Sequence, residues 1–301
     1  MKRPGKFLTV LALLASSTTR LISQEAVKNQ DFTSNLDEDF SFSTVTLKEL
    51  FLQQNDGGTN LKELINIAVG SLLIFLAIIG IVKLVGYILT RKKMKVIEEK
   101  FIEAKKSVLD TKMDTLSKDD FTKIIDSGIE LSKKVDKHTG RKNSPMLPLL
   151  AYEISLEMNV DKKTAARYFC ASLFYDCGLL DIPSEYFFSE ILYKKEKNQF
   201  KKHVICFDGK IDELPEELYM DCYDACYFHH ENYNGSGYPE GLSKDEIPLI
   251  ARILRVLESY MSLISKETYH KGLSKKKAFI DMRMKEGLYD MSIIDILETL
   301  V

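Results

Sequence analysis

His229 and His230 stand side by side, followed at once by Glu231 and then by the turn-forming run Asn232-Tyr233-Asn234-Gly235-Ser236-Gly237-Tyr238-Pro239-Glu240-Gly241-Leu242. Neutral imidazoles are common ligands of Zn, Fe and Mn, and glycine opens backbone angles that other residues avoid, so a loop rich in glycine can lie close against a ligand. The run therefore points to a metal centre, with Gly235 and Gly237 giving the loop its freedom and Tyr238 and Pro239 its shape. Glu231 has two readings at such a centre, as a ligand or as a carboxylate that orients a histidine from behind. Lys201 and Lys202 either attract an anionic nucleotide or line a solvated helix face. His138 and His270 stand alone and read as solvated or hydrogen-bonded side chains.

The elements that must hold these residues are helices. From about residue 136 to the end there are few strand-like alternations, and Pro145, Pro183, Pro215, Pro239 and Pro248 fall mostly at boundaries. Val160-Asp161-Lys162-Lys163-Thr164 reads as a cap and start for a helix over Ala165 to Leu173, and Ser274 caps an amphipathic run to Met284. Asp119 and Asp120 open a helical pattern through Phe121, Ile124, Ile125 and Ile129 that ends near Lys133 and Lys134, with acid at the start and base at the end to suit the helix dipole. An all-α bundle is the fold class these patterns predict.

A chain of 301 residues, 45% hydrophobic, can bury one good core with a small accessory region. Its net charge of −2 gives no global reason to expect nucleic-acid binding. The five cysteines, Cys170, Cys177, Cys206, Cys222 and Cys226, are odd in number and lack tight paired spacing, so they read as small buried hydrophobes in a reducing compartment. Cys222 and Cys226 lie four apart, but without a second pair they make a poor zinc site.

The N-terminal part reads differently. Lys2, Arg3 and Lys6 precede the apolar run Phe7 to Ala15, the layout of a secretory signal over residues 1–24, with an uncleaved anchor as the alternative because Arg20 is awkwardly placed. Residues 25–64 are polar and acidic and read as a short extracytoplasmic segment. Residues 65–90 are almost uninterruptedly apolar, and at about 1.5 Å per residue they are long enough to cross a hydrocarbon layer of about 30 Å. Arg91, Lys92, Lys93 and Lys95 follow, which by the positive-inside rule puts the rest in the cytoplasm of a cell whose inner membrane holds the single span. Residues 91–135 form a juxtamembrane helical linker. In it Met94, Ile97, Phe101, Ala104 and Val108 recur at spacings of three and four, either a coiled-coil seam that pairs two copies through residues 94–108 or a helix packing on its own domain.

Residues 136–301 resemble the HD-GYP family of bacterial metal-dependent cyclic di-GMP phosphodiesterases. The resemblance rests on His229-His230-Glu231, on Gly235-Ser236-Gly237-Tyr238-Pro239 with Gly241-Leu242, on Ile247-Pro248 before Ala251-Arg252-Ile253-Leu254, and more loosely on Thr139-Gly140-Arg141-Lys142-Asn143-Ser144 and Ala171 to Pro183. It implies a helical bundle of the HD type in which two or three metal ions, often iron or manganese, activate water against a phosphodiester. By the resemblance Asp176 is the carboxylate that bridges two ions, and His203, His229 and His230 are ligands of the second or third. Asn143 and Tyr175 stand where the family has histidines, Leu179 where it has a lysine that reaches the phosphate, and Glu258 where it has an aspartate.

The implied losses fall on one flank of the site, which makes two-metal hydrolysis impaired or absent while one divalent ion, Fe or Mn, can still grip an anionic ligand. The readings that follow are a membrane-anchored signalling protein that binds a cyclic dinucleotide or a cytoplasmic partner, an active phosphodiesterase with an altered site, and a tethered scaffold without ligand.

Overall fold

The computed structural model describes residues 61–301 apart from 142–144, 190, 192, 208 and 266–271. The expected signal sequence, nearly all of the expected outer segment, Asn143 and His270 lie outside the described residues. The chain divides into two compact units, Met1–Lys83 and Leu84–Val301. Helix α1, Leu61–Leu109, runs without a break through the expected span and on through the basic cluster. From Val69 onward it is long and apolar enough to cross a membrane, by length and composition. Leu72, Leu73, Ile74 and Ile78 are all more than half exposed.

In the second unit α1 is followed by α2 (Lys118–Thr139), α3 (Met146–Glu157), α4 (Lys162–Phe174), the short α5 (Glu185–Phe188) and α6 (Lys194–Phe200), α7 (Glu216–Phe228), α8 (Leu249–Ile264), α9 (Lys275–Met284) and α10 (Met291–Leu300). Single 3-10 turns cover Cys177–Asp181, Lys201–Ile205 and Lys244–Glu246. Among the described residues no strand forms, only an isolated bridge between Asn234 and Ser243, so the all-α expectation holds.

Local chemistry sets the helix ends. The Ser117 hydroxyl accepts the N–H of Asp120, and Gly140, with φ of 76°, closes α2 five residues beyond Lys134 and the expected end. The Asp161 carboxylate accepts the N–H groups of Lys163 and Thr164 at the start of α4, and Ser274 accepts that of Lys277 at the start of α9. Each such cap satisfies donors that the helix itself leaves unpaired.

The core is built on α8, whose Ile250, Ile253, Leu254, Val256, Leu257 and Tyr260 are buried at a helical repeat. Phe169 of α4 is fully buried, with its ring 5.6 Å from Phe101 and 6.3 Å from Tyr152. Phe121 and Ile125 of α2 are buried in the same core, which thus takes in residues ahead of 136. Ala104 and Val108 are buried there too, and Phe101 packs against it. The seam from 101 to 108 thus packs on its own domain, while Met94 at its start stays exposed. The free cysteines Cys170, Cys177, Cys222 and Cys226 are buried and Cys206 half-buried, in line with their reading as small hydrophobes.

Candidate metal centre

Three helices end at one place. Gly140 terminates α2 and delivers Arg141; Tyr175 terminates α4 and delivers Asp176; His229 terminates α7 and is followed by His230. The 3-10 turn Lys201–Ile205 brings in His203, and α8 brings in Glu258. The C-terminus of a helix carries partial negative charge from its unpaired carbonyls, so three of them around one point favour a cation there.

The histidines are held in a defined protonation pattern. His203 Nδ1 lies 2.7 Å from the Phe200 carbonyl and His229 Nδ1 lies 2.8 Å from the Ala225 carbonyl. A carbonyl oxygen can only accept, so both Nδ1 atoms carry hydrogen and, in the neutral rings, both Nε2 atoms are bare. Those bare nitrogens face each other at 3.1 Å, and His230 Nε2 stands 3.2 Å from that of His203. Asp176 Oδ1 joins them, 3.6 Å from His203 Nε2 and 3.5 Å from His229 Nε2, and is buried with no hydrogen-bond donor. Three lone pairs, of His203 Nε2, His229 Nε2 and Asp176 Oδ1, thus converge, which is unfavourable unless a proton or a metal ion is shared, and His230 Nε2 stands beside them. Ligands about 2.0–2.1 Å from one ion stand roughly 3 Å from one another. The orphaned Asp176 oxygen and the spacing of the imidazoles therefore fit one divalent ion, and His203, His229 and His230 could hold it.

Charge in the cluster follows from burial and neighbours. Burial pushes the pKa of His203 down, helped by His229. It pushes that of His230 well down against the pull of Glu258. Burial acts the same way on His229, but the Asp176 carboxylate beside it, with Glu258, outweighs it and leaves its pKa raised. Burial raises Glu258, but the Arg141 guanidinium outweighs it and holds its carboxyl well below the usual carboxylate range. The phenol of Tyr175 is pushed well above its ordinary value by burial and then by the charges of Asp176 and Glu258, so it stays neutral.

The remaining expected residues take distinct places. Tyr175 is in the site, edge-on to His229 with ring centroids 5.2 Å apart. Leu179 is buried in an apolar cluster with Val135 and Ile182. Gly235 has φ of 79° and lies with Gly237, Tyr238 and Pro239 in the loop after His230. A Cβ on Gly237 would come within 2.3 Å of the Asn232 nitrogen and 2.6 Å of the His230 carbonyl oxygen, so only glycine lets the loop close on the histidines. Tyr238 stacks on His230 at 4.9 Å, its phenol pushed well up by burial, and Lys201 Nζ also lies over the Tyr238 ring, 4.7 Å from its centroid. Of the isolated histidines, His138 Nε2 is bonded to the Ile182 carbonyl at 2.8 Å.

Glu231 does neither of the two things expected of it. Its Oε1 accepts the backbone N–H groups of Glu240 at 2.7 Å and Gly241 at 3.0 Å, so it pins the glycine loop.

Two arginines at the site had no assigned role in the sequence. Arg141 Nη1 donates to Asp176 Oδ2 at 2.9 Å and to Glu258 Oε1 at 3.2 Å. Arg255 donates to Asn232 at 3.0 Å and to Ser259 at 2.6 Å, tying α8 to the loop that follows His230. The signal for Arg141 was present but weak, a cation one residue beyond a helix-closing glycine.

A family model described as HD domain matches residues 123–293. A cyclic di-GMP phosphodiesterase of Thermotoga maritima is 25% identical over 167 residues, covering 55% of this chain and 45% of the relative. A 3'3'-cGAMP-specific phosphodiesterase 1 of Vibrio cholerae is 24% identical over 163 residues, covering 52% of this chain and 36% of the relative. The chain thus spans less than half the length of either relative. Among solved structures, Bd1817, a HDG"Y"P protein from Bdellovibrio bacteriovorus, matches with a TM-score of 0.40 at 18% identity over 59% of this chain and 52% of that one. With the family model matched over more than half its length and these relatives beside it, the chain belongs to the HD domain family, in its HD-GYP group.

Proposed function

We propose that this protein is a membrane-anchored signalling module that binds a cyclic dinucleotide at a single metal ion and hydrolyses it slowly or not at all. The observation that carries this is the one-sided donor set: His203, His229 and His230 gather their ring nitrogens, Asp176 Oδ1 lies beside His203 and His229, and its other oxygen faces Arg141. Among the described residues no second group of three or more metal-ligating side chains is gathered. A metal ion, when bound, supplies positive charge for a phosphate oxygen. His203, His229 and His230 with Asp176 would hold it, Fe or Mn by the mixed nitrogen and oxygen donors. The relatives' names as phosphodiesterases of cyclic dinucleotides supply the ligand class.

Two features count against efficient turnover. Tyr175, neutral and edge-on to His229, offers no imidazole on the far flank, and Leu179 is packed among apolar side chains where it can neither bind an anion nor stabilise charge. Anchoring is supported by the apolar stretch of α1, and a cytoplasmic side for the domain by the basic residues Arg91, Lys92 and Lys95 that follow it.

The test uses the full chain in detergent, reloaded with Mn²⁺ or Fe²⁺ and titrated with cyclic di-GMP and 3'3'-cGAMP while product is followed by chromatography. One ion per chain with nucleotide bound and little product is the expected outcome. Two ions with sustained cleavage would establish an active phosphodiesterase, and neither ion nor nucleotide would leave a scaffold.

A further inference from the structure

Asp176 and Glu258 are split in the same way. Asp176 turns Oδ1 to His203 and His229 and Oδ2 to Arg141; Glu258 turns Oε2 to His230, 3.7 Å from Nδ1, and Oε1 to Arg141. Both carboxylates are buried, with side chains 5% and 11% exposed, and a single guanidinium nitrogen joins them. Asp176 therefore serves two cation positions, one beside the imidazoles of His203 and His229 and one already filled by Arg141, and Glu258 shares the second. A divalent ion brought to Asp176 Oδ2 would have to displace a charged donor 2.9 Å from that oxygen. The cation–cation repulsion that this implies is poorly screened in a buried site.

We propose that the Arg141 guanidinium is a built-in cation that takes the place of a second metal ion, so that the centre is restricted to one divalent ion on its histidine side. The charge balance supports it. Two carboxylates against the guanidiniums of Arg141 and Arg255 leave the cluster near neutral, and a divalent ion makes it positive, suited to a phosphodiester anion. Arg141 would then face the ligand's phosphate as a fixed, planar donor. The inference deepens the reading above and rests on it for the ion at His203, His229 and His230; its own claim concerns Arg141 alone.

The test counts ions. Full-length protein in detergent is stripped with a chelator, reloaded with Mn²⁺ and dialysed. Manganese per chain is then measured by mass spectrometry, and coupling between ions by electron paramagnetic resonance. Wild type is expected to hold one uncoupled ion, Arg141→Lys one, and Arg141→Gln two that are magnetically coupled through Asp176. An Arg141→Gln protein that gains no ion over wild type, or a wild type that already holds two, overturns the proposal. A wild type with none while Arg141→Gln gains one leaves the role of Arg141 standing and refutes the histidine site instead. If Arg141→Gln unfolds when stripped, millimolar Mn²⁺ is expected to restore its helical circular dichroism. Failure to restore it, with Arg141→Lys folded, marks an ordinary structural ion pair and likewise overturns the proposal.

Discussion

At the scale of single residues the centre is governed by which lone pairs are bare. Because Phe200 and Ala225 fix the Nδ1 protons of His203 and His229, removing either ring takes away a ligand that is already oriented. His229→Ala is expected to lower metal affinity at least 10-fold, read by isothermal titration with Mn²⁺. Protons compete for the same nitrogens, and His229, whose pKa is raised, loses its lone pair first on acidification. Metal affinity is accordingly expected to fall as pH drops through the neutral range, before His203 and His230 titrate; an affinity flat from pH 8 to 6 would contradict the assignment of His229. Gly237→Ala forces a Cβ against the Asn232 nitrogen and is expected to lower stability by about 1–3 kcal/mol and to weaken metal binding together with it. Leu179→Lys, the substitution that would restore the family's lysine, places a charge among Val135 and Ile182. It is expected to cost on the order of 3 kcal/mol in a denaturant melt before any gain in chemistry can show.

At the scale of elements the C-termini of α2, α4 and α7 meet, and their packing decides whether the ligands meet. Phe169 locks α4 against Phe101 of α1 and Tyr152 of α3. Phe169→Ala is expected to destabilise the domain by about 3–5 kcal/mol, measured by urea unfolding. A second contact works by backbone proximity: a Cβ on Gly178 would lie 2.0 Å from the His203 carbonyl oxygen, so the turn after Asp176 can touch the turn bearing His203 only through glycine. On α7, burial and then the charge of Asp221 push the pKa of half-buried Asp224 up to about 6. The folded state thus favours its protonated form, and stability is lost as pH rises from the ordinary carboxylate range through about 6. Asp224→Asn is expected to melt above wild type at pH 8 and level with it near pH 4.

At the scale of the whole molecule, one helix carries two kinds of surface. The apolar side chains of α1 from Val69 onward lie open, whereas Ala104 and Val108 near its end are buried in the second unit. Chain length and composition gave the first fact, since an apolar stretch broken by little more than Lys83 and followed by Arg91, Lys92 and Lys95 needs no partner to be read. The helical repeat, the caps at Asp161 and Ser274 and the glycines of the loop were likewise plain in the sequence, because each depends on neighbours a few residues away. So were His229 and His230, which adjoin. What the order of residues could not decide was every relation across distance. The repeat in residues 94–108 fits a partner chain or the home domain equally, and only packing shows Phe101, Ala104 and Val108 turned inward. Glu231 looks like a ligand by adjacency, yet its carboxylate finds backbone N–H groups nine and ten residues on. Arg141 meets Asp176 across 35 residues and Glu258 across 117. Periodicity and capping are local and survive in one dimension, but the pairing of charges is set by which helix ends the core brings together, and that exists only once the chain has folded.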